Sequence, residues 1–282
     1  MKLANINLGG GITYGAISDN CFYEVEEKIK KEHPTLNSLI ANNSTDSSAI
    51  QFSFKKERIP VTNLNFLPPI SESNKVICVG INYPKIYNNI PTKKPKNIIL
   101  FSKFHETLVG HNDSLRMPLG LAEASFDYEG EIAIVIGKSG YGINESKAME
   151  HLFGYTMFND GSVRDWQKHS LHAGKNFFCS GSCGPFIVTK DEIPTFESIV
   201  LETKLNGNTV QKSSTRAMFF NLQEIISYVS SIIPLHSGDI IATGSPEGTG
   251  ANQTPPRFLR EGDILEISGT NLGTLKNFIK KI

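Results

Sequence analysis

The stretch FDYEGEIAIVIGKSG, residues 126–140, reads as a β-strand that carries acids on a face expected to be half buried. Successive side chains on a strand point to opposite sides. Asp127, Glu129, Glu131, Ala133 and Val135 therefore share one face, and Tyr128, Ile132, Ile134 and Ile136 share the other. Three carboxylates line up at one end of a strand whose remaining positions suit a core. Like charges held that close repel and are costly to desolvate, unless a cation sits among them or one stays protonated.

Working outward, the segment lies in a chain dense in β signals. KVICVGI (75–81), NIILFSKF (97–104), EIAIVIG (131–137), GYTMFN (154–159), GPFIVTK (184–190), LETKLNG (201–207), DIIATG (239–244) and DILEISG (263–269) are separated by Gly, Pro, Asn and Asp. Helical periodicity is convincing in NLQEIISYVSSII (221–233), where Leu222, Ile225, Ile226, Val229 and Ile233 recur at three- and four-residue steps, and weaker over 144–152. The first 60 residues are uneven: a strand-like piece from Ile12 to Ile17, the charged helix-like run EVEEKIKKE, then the polar stretch NNSTDSS. Pro60 and FLPPISESN (66–74) place a boundary, giving a small N-terminal domain over 1–70 and a larger one over 71–282. Strands outnumber helices too heavily for a doubly wound fold, so the expected class is α+β, β-dominated, with few helices.

With 28 basic and 28 acidic residues among 282, no global field argues for nucleic acid or an anionic membrane, and a small molecule is the expected partner. Cys21, Cys78, Cys179 and Cys183 form no CxxC pair and read as reduced thiols of a cytoplasmic protein. The start MKLANINLGGG lacks the pattern of a signal peptide, and no 18-residue apolar run occurs.

A further acid stands at the end of the next strand, in GYTMFNDGSVRDWQ (154–167), where Asp160 precedes Gly161. Two carboxylates at i and i+2 on one strand, joined by one from a neighbouring strand end, make the all-oxygen site that hard divalent cations prefer. Mg²⁺ suits it, with Mn²⁺ or Ca²⁺ as substitutes, because no His or Cys stands at ligand spacing. The plainer alternative is an exposed acidic strand face with Asp160 as a turn residue.

YEGEIAIVIGK, NDGSVRDWQ, GKNFFCSGSCGPFIVTKDEI and GDIIATGSPEGTG, in this order and at these intervals, resemble the fumarylacetoacetate hydrolase family. The resemblance covers roughly residues 70–282 and implies a distorted β-roll of mixed sheets, usually dimeric, with a catalytic Mg²⁺ or Mn²⁺. By motif, the implied metal ligands fall on Glu129, Glu131 and Asp160. The reactions implied share a metal-stabilised enolate of a small 2-oxo acid or β-dicarbonyl compound: C–C hydrolysis, decarboxylation, hydration or isomerisation of dienoates, or keto-enol tautomerisation. Lys175 matches the family lysine that meets the substrate or its oxyanion. Arg164 and Gln167 match its RDxQ pair, with an ion pair from Arg164 to Asp165 or another local acid as the blander reading. Thr243 and Gly244 match the turn that holds a substrate carboxylate, and Tyr83 belongs to the GxNY element beside the substrate. IILFSKFHETLVG, NDGSVRDWQ and TPPRFLREGDILEI are most similar to the branch that includes animal mitochondrial oxaloacetate tautomerases.

The pattern breaks in the lid, GINYPKIYNNIP (80–91). The family's hydrolases and decarboxylases usually carry there a His base and its orienting Glu, at positions occupied here by Ile86 and Asn89. Neither takes a proton, so the resemblance implies poor hydrolysis and favours isomerisation or decarboxylation. His105, His111, His169 and His172 are candidates for a relocated base. The rival reading is a catalytically silent relative that binds a metabolite or a partner without turnover, and a third is a structural dimer whose acids are merely exposed.

Overall fold

The computed structural model describes residues 1–42, 54–71, 75–87 and 90–281. One large mixed sheet runs in the order Ile59–Pro60, Cys21–Glu24, Ile12–Ser18, Lys2–Asn7, Gly181–Thr189, Leu152–Asn159, Gly130–Ile136, Ile240–Ala242, Val76–Gly80 and Ile99–Lys103. A second sheet of five strands follows the order Ser114–Arg116, Gly273–Lys280, Ile264–Gly269, Val200–Leu205 and Asn208–Ser214. This is the β-dominated architecture of mixed sheets and few helices that the strand pattern implies. Lys2 and Leu3 pair antiparallel with Val188 and Ile187, so the N-terminal strands continue the large sheet.

The opening stretch is two strands, Phe126–Asp127 and Gly130–Ile136, and the second is buried on both faces. This corrects the expectation of a half-buried strand. Ile132, Ile134 and Ile136 enter a core shared with Leu201, Leu265, Ile267 and Leu275 of the second sheet and with Ile225 and Ile226 of the helix Leu222–Ile232. Ala133 and Val135 enter another core with Tyr14, Leu36, Leu39 and Ile40 from the N-terminal segment. A strand with a layer on each side must be apolar at nearly every position. The acids sit where that requirement ends, at the mouth of the strand.

The helix carries a capping box: the Asn221 side chain accepts from the Glu224 N–H, and the Glu224 carboxylate accepts from the Asn221 N–H. Leu222, Ile225, Ile226 and Val229 of the predicted stripe are buried, whereas Ile233, expected to continue it, lies past the helix end in extended backbone and is exposed. The weaker helical signal resolves into the 3₁₀ turn Glu145–Glu150, and the charged run into the short helix Glu27–Glu32, which buries no side chain. From Asn43 onward the polar stretch NNSTDSS lies outside the described residues.

Candidate functional site

Two short connections build the site. Asn159 closes its strand by accepting from the Glu129 N–H at 3.1 Å, and the Asp160 N–H donates to the Glu129 carbonyl at 2.9 Å, which brings Asp160 beside the start of Gly130–Ile136. Gly161 follows because a Cβ there would meet the Ser180 carbonyl oxygen at 1.8 Å. Glu129, Glu131 and Asp160 are all buried, and each offers a carboxylate oxygen within 4.8 Å of the other two. The sequence expectation that these three converge therefore holds geometrically, and the reading of an exposed acidic face does not.

Asp127, the first acid of the face, has a different task. Its carboxylate accepts from the N–H groups of Gly250 at 2.7 Å and Ala251 at 3.0 Å, and from Arg164 Nε at 2.7 Å. Arg164 reaches Glu129 with Nη1 at 2.6 Å, so one guanidinium joins two acids. Asp165 binds Lys168 at 2.6 Å instead, so the ion pairing of Arg164 expected on the blander reading is made with Asp127 and Glu129. Gln167, one turn after Arg164, stands 3.5 Å from its Nη1.

Lys175 is buried between carboxylates, 2.6 Å from Glu129 and in contact with Asp160, with its Nζ 5.0 Å from the centre of the Phe101 ring. Lys103, fully buried, approaches Asp160 from behind at 3.0 Å. Burial works against each of these charges, and the pairing overcomes it. Lys175 is held above the ordinary lysine value by Asp160 and Glu129, and Glu129 is held well below the ordinary carboxylate range by Lys175, Arg164 and Lys85. Glu131 moves the other way. Burial, then Asp160 and Glu129, push its carboxyl well above the usual range, and Lys175 and the Gly244 N–H offset only part of this.

Above the acids lies a cleft of about 320 Å³ lined by Glu129, Glu131, Arg164, Gln167, Lys175, Lys85 and Ser245, with Val79, Ile81, Ile99, Phe101 and Leu171 as its apolar wall. Thr243 and Gly244 do not line it. The Thr243 hydroxyl donates to the Ile132 carbonyl at 2.8 Å, and the Gly244 N–H donates to Glu131 at 2.8 Å. Both groups expected to seat a substrate carboxylate are thus committed to the protein itself. Gly244 has φ +103°, and a Cβ there would meet that of Asn82 at 2.7 Å, so the turn requires glycine. Tyr83 does not line the cleft and is fully buried, with a phenol raised by burial and by Glu131. Among the described residues His105, His111, His169 and His172 contribute nothing to the lining. Asn89 falls outside the described residues, and of Ile86 only the backbone strand position is described.

A family model for the fumarylacetoacetate (FAA) hydrolase C-terminal domain matches residues 75–280. The chain belongs to the fumarylacetoacetate hydrolase family. It is 36% identical, over 99% of its own length and 100% of the relative's, to a fumarylacetoacetate hydrolase domain-containing protein 2 homolog of Dictyostelium discoideum. A solved fumarylacetoacetate hydrolase from Exiguobacterium antarcticum superposes with a TM-score of 0.86 at 30% identity, each chain covered in full. A 2-hydroxyhepta-2,4-diene-1,7-dioate isomerase from Mycobacterium marinum superposes with a TM-score of 0.78 at 28% identity, over 100% of this chain and 98% of the other.

Within this fumarylacetoacetate hydrolase fold, sequence reasoning missed Lys85, Lys103, Asn82 and Gln211. Asn82 ties the lid base to the Thr243 carbonyl at 2.7 Å and to the Phe220 N–H at 2.8 Å. Gln211 accepts from the Gly130 N–H at 2.9 Å and donates to Ser245 at 2.8 Å, joining the acidic strand to the cleft wall. Lone amides and lysines carry no sequence signal of convergence.

Proposed function

We propose that the chain is a divalent-metal-dependent enzyme that acts on a small 2-oxo acid or β-dicarbonyl compound through an enolate, by keto-enol isomerisation or decarboxylation in preference to hydrolysis. The observation that carries this reading is the buried trio Glu129, Glu131 and Asp160, of which Glu129 and Glu131 line a cleft that also presents Arg164 and Lys175. The donor set fits a hard cation: three carboxylates, no nitrogen or sulfur ligand, and one acid, Glu131, left without a cationic partner among the described residues. Mg²⁺ suits it best, and Mn²⁺ is the natural substitute.

A cation bound there supplies Lewis-acid polarisation of a substrate carbonyl. The protein's own residues supply the rest. Lys175, held protonated by Glu129 and Asp160, sets the orientation of both carboxylates and contributes a fixed positive charge beside a developing oxyanion. Arg164, anchored by Asp127 and Glu129, places its remaining Nη2, buried and without a hydrogen-bond partner, as a donor for a substrate carboxylate. Val79, Phe101 and Leu171 exclude water on one side of the cleft.

The exchange of the lid dyad for Ile86 and Asn89 supports isomerisation or decarboxylation over hydrolysis, since neither residue activates a water molecule. The same exchange favours the second reading, a relative that binds a metabolite without turnover. Side-by-side assays of Mg²⁺-loaded protein on oxaloacetate tautomerisation, oxaloacetate decarboxylation and acetylpyruvate cleavage separate the two. We also propose a homodimer and a cytoplasmic setting, consistent with four unpaired cysteines. Among the described residues no helix is long and apolar enough to cross a membrane.

A further inference from the structure

Lys85 lines the cleft with Glu129, Glu131, Arg164 and Lys175, yet its ammonium makes no hydrogen bond or ion pair among the described residues. Its backbone is fixed from two sides. The Lys85 N–H donates to Thr92 Oγ1 at 2.9 Å and the Thr92 N–H donates to the Lys85 carbonyl at 2.7 Å, closing the base of the small hairpin Ile86–Tyr87 and Ile90–Pro91. Three residues earlier, Asn82 locks the chain to Thr243 and Phe220. The side chain is therefore presented to the cleft by a pinned stretch of backbone, immediately before the position where Ile86 replaces the family's base.

Other proton carriers near the acids are disqualified by their surroundings. Lys175 is bound to two carboxylates and kept protonated, and Lys103 is fully buried against Asp160 outside the lining. Tyr83 is fully buried and, like the four candidate histidines, does not line the cleft.

We propose that Lys85 is the proton-transfer residue of this site, taking the place of the missing lid base. The inference rests on the enolate reading above. As a neutral amine, Lys85 Nζ accepts the proton from the carbon next to the keto group. The C–H bond breaks, its electron pair becomes the C=C bond of the enolate, and the carbonyl π pair moves to oxygen. In the return direction the ammonium gives the proton back to carbon and the electron flow reverses. Burial lowers the Lys85 amine below the ordinary lysine value; Glu129 and Glu131 oppose this and Arg164 and Lys175 add to it.

The test measures deuterium incorporation at that carbon by proton NMR, in D₂O with Mg²⁺-loaded protein, from pyruvate, oxaloacetate and acetylpyruvate. Calorimetric binding of oxalate, which is planar like the enolate and has no exchangeable carbon proton, reports seating independently of turnover. Lys85→Met is expected to lose roughly 10²-fold or more of the exchange rate while oxalate binding changes by less than about threefold. Lys85→Arg keeps the charge but cannot release its proton, so exchange stays lost. Exchange that survives in Lys85→Met, or is restored in Lys85→Arg, overturns the assignment and leaves the enolate reading intact. Failure of the unsubstituted protein to exchange any of the three overturns both.

Discussion

The Glu131 carboxylate accepts a 2.8 Å hydrogen bond from the Gly244 N–H, and among the described residues no basic side chain lies within ion-pairing distance of it. Its two neighbours differ: Glu129 is held by Lys175 and Arg164, and Asp160 by Lys175 and Lys103. The unequal division of cations leaves one buried acid to be neutralised by a proton or by a bound ion. Glu131 is the residue on which metal binding and folding stability meet.

Replacing Glu131 with Gln is expected to stabilise the metal-free protein. A carboxyl whose folded-state value is raised binds its proton more tightly in the folded than in the unfolded chain, so its contribution is fully present below the ordinary carboxylate range and is lost as pH rises through the raised value. Thermal unfolding with a chelator present should show Glu131→Gln melting on the order of 2–4 °C above the parent near pH 8, with the difference vanishing near pH 4. Equal melting at both pH values would mean that Glu131 is neutralised by something else.

Asp127→Asn should be severe although Asp127 is not among the proposed ligands. The substitution weakens the ion pair to Arg164 and the seat for the Gly250 and Ala251 N–H groups. Removing one partner of a buried pair costs about 3–5 kcal/mol, read as a lower urea midpoint with unchanged slope.

Arg164→Lys tests the guanidinium fork. A lysine at this position cannot join Asp127 and Glu129 while still offering a donor to substrate. With about 1.5–3 kcal/mol for a charge-assisted hydrogen bond, kcat/KM should fall roughly 10- to 100-fold. A full-strength Lys variant would show that Arg164 is structural only.

Far from the cleft, His111 packs edge-on against Phe66, its Nδ1 accepts from the Lys276 N–H at 3.1 Å, and burial followed by the Lys276 charge lowers its value to about 4. The unfolded chain therefore takes up a proton that the folded chain refuses. Stability is full above about pH 6.5 and falls as pH drops towards 4, by on the order of 1–3 kcal/mol. His111→Asn should flatten that part of a urea-unfolding pH series.

The parts of this molecule that could be read in advance are those where one pattern has one cause. The strand Gly130–Ile136 and the stripe of helix Leu222–Ile232 follow from apolar spacing, and the convergence of Glu129, Glu131 and Asp160 from carboxylates at a strand mouth and a strand end. The strand Gly273–Lys280 escaped because Asn277 interrupts its buried row, where its amide donates to the Gly110 carbonyl at 2.8 Å. Asn208–Ser214 escaped because its buried Gln211 is spent on Gly130, Ser245 and Pro246 and looks like a loop residue in sequence. Thr243 and Gly244 were in the right turn, but which hydroxyl or N–H is left free depends on partners over a hundred positions away. Ser245, next along the same turn, is the hydroxyl that lines the cleft.

The central claim is tested most directly by titrating Mn²⁺ into the metal-free protein and into Glu131→Ala, with oxaloacetate enol-to-keto conversion followed on the same samples. The account predicts one Mn²⁺ per chain for the parent, conversion that rises with occupancy, and loss of both in Glu131→Ala. Conversion that proceeds undiminished in Glu131→Ala, or a parent that binds no divalent ion, would contradict it.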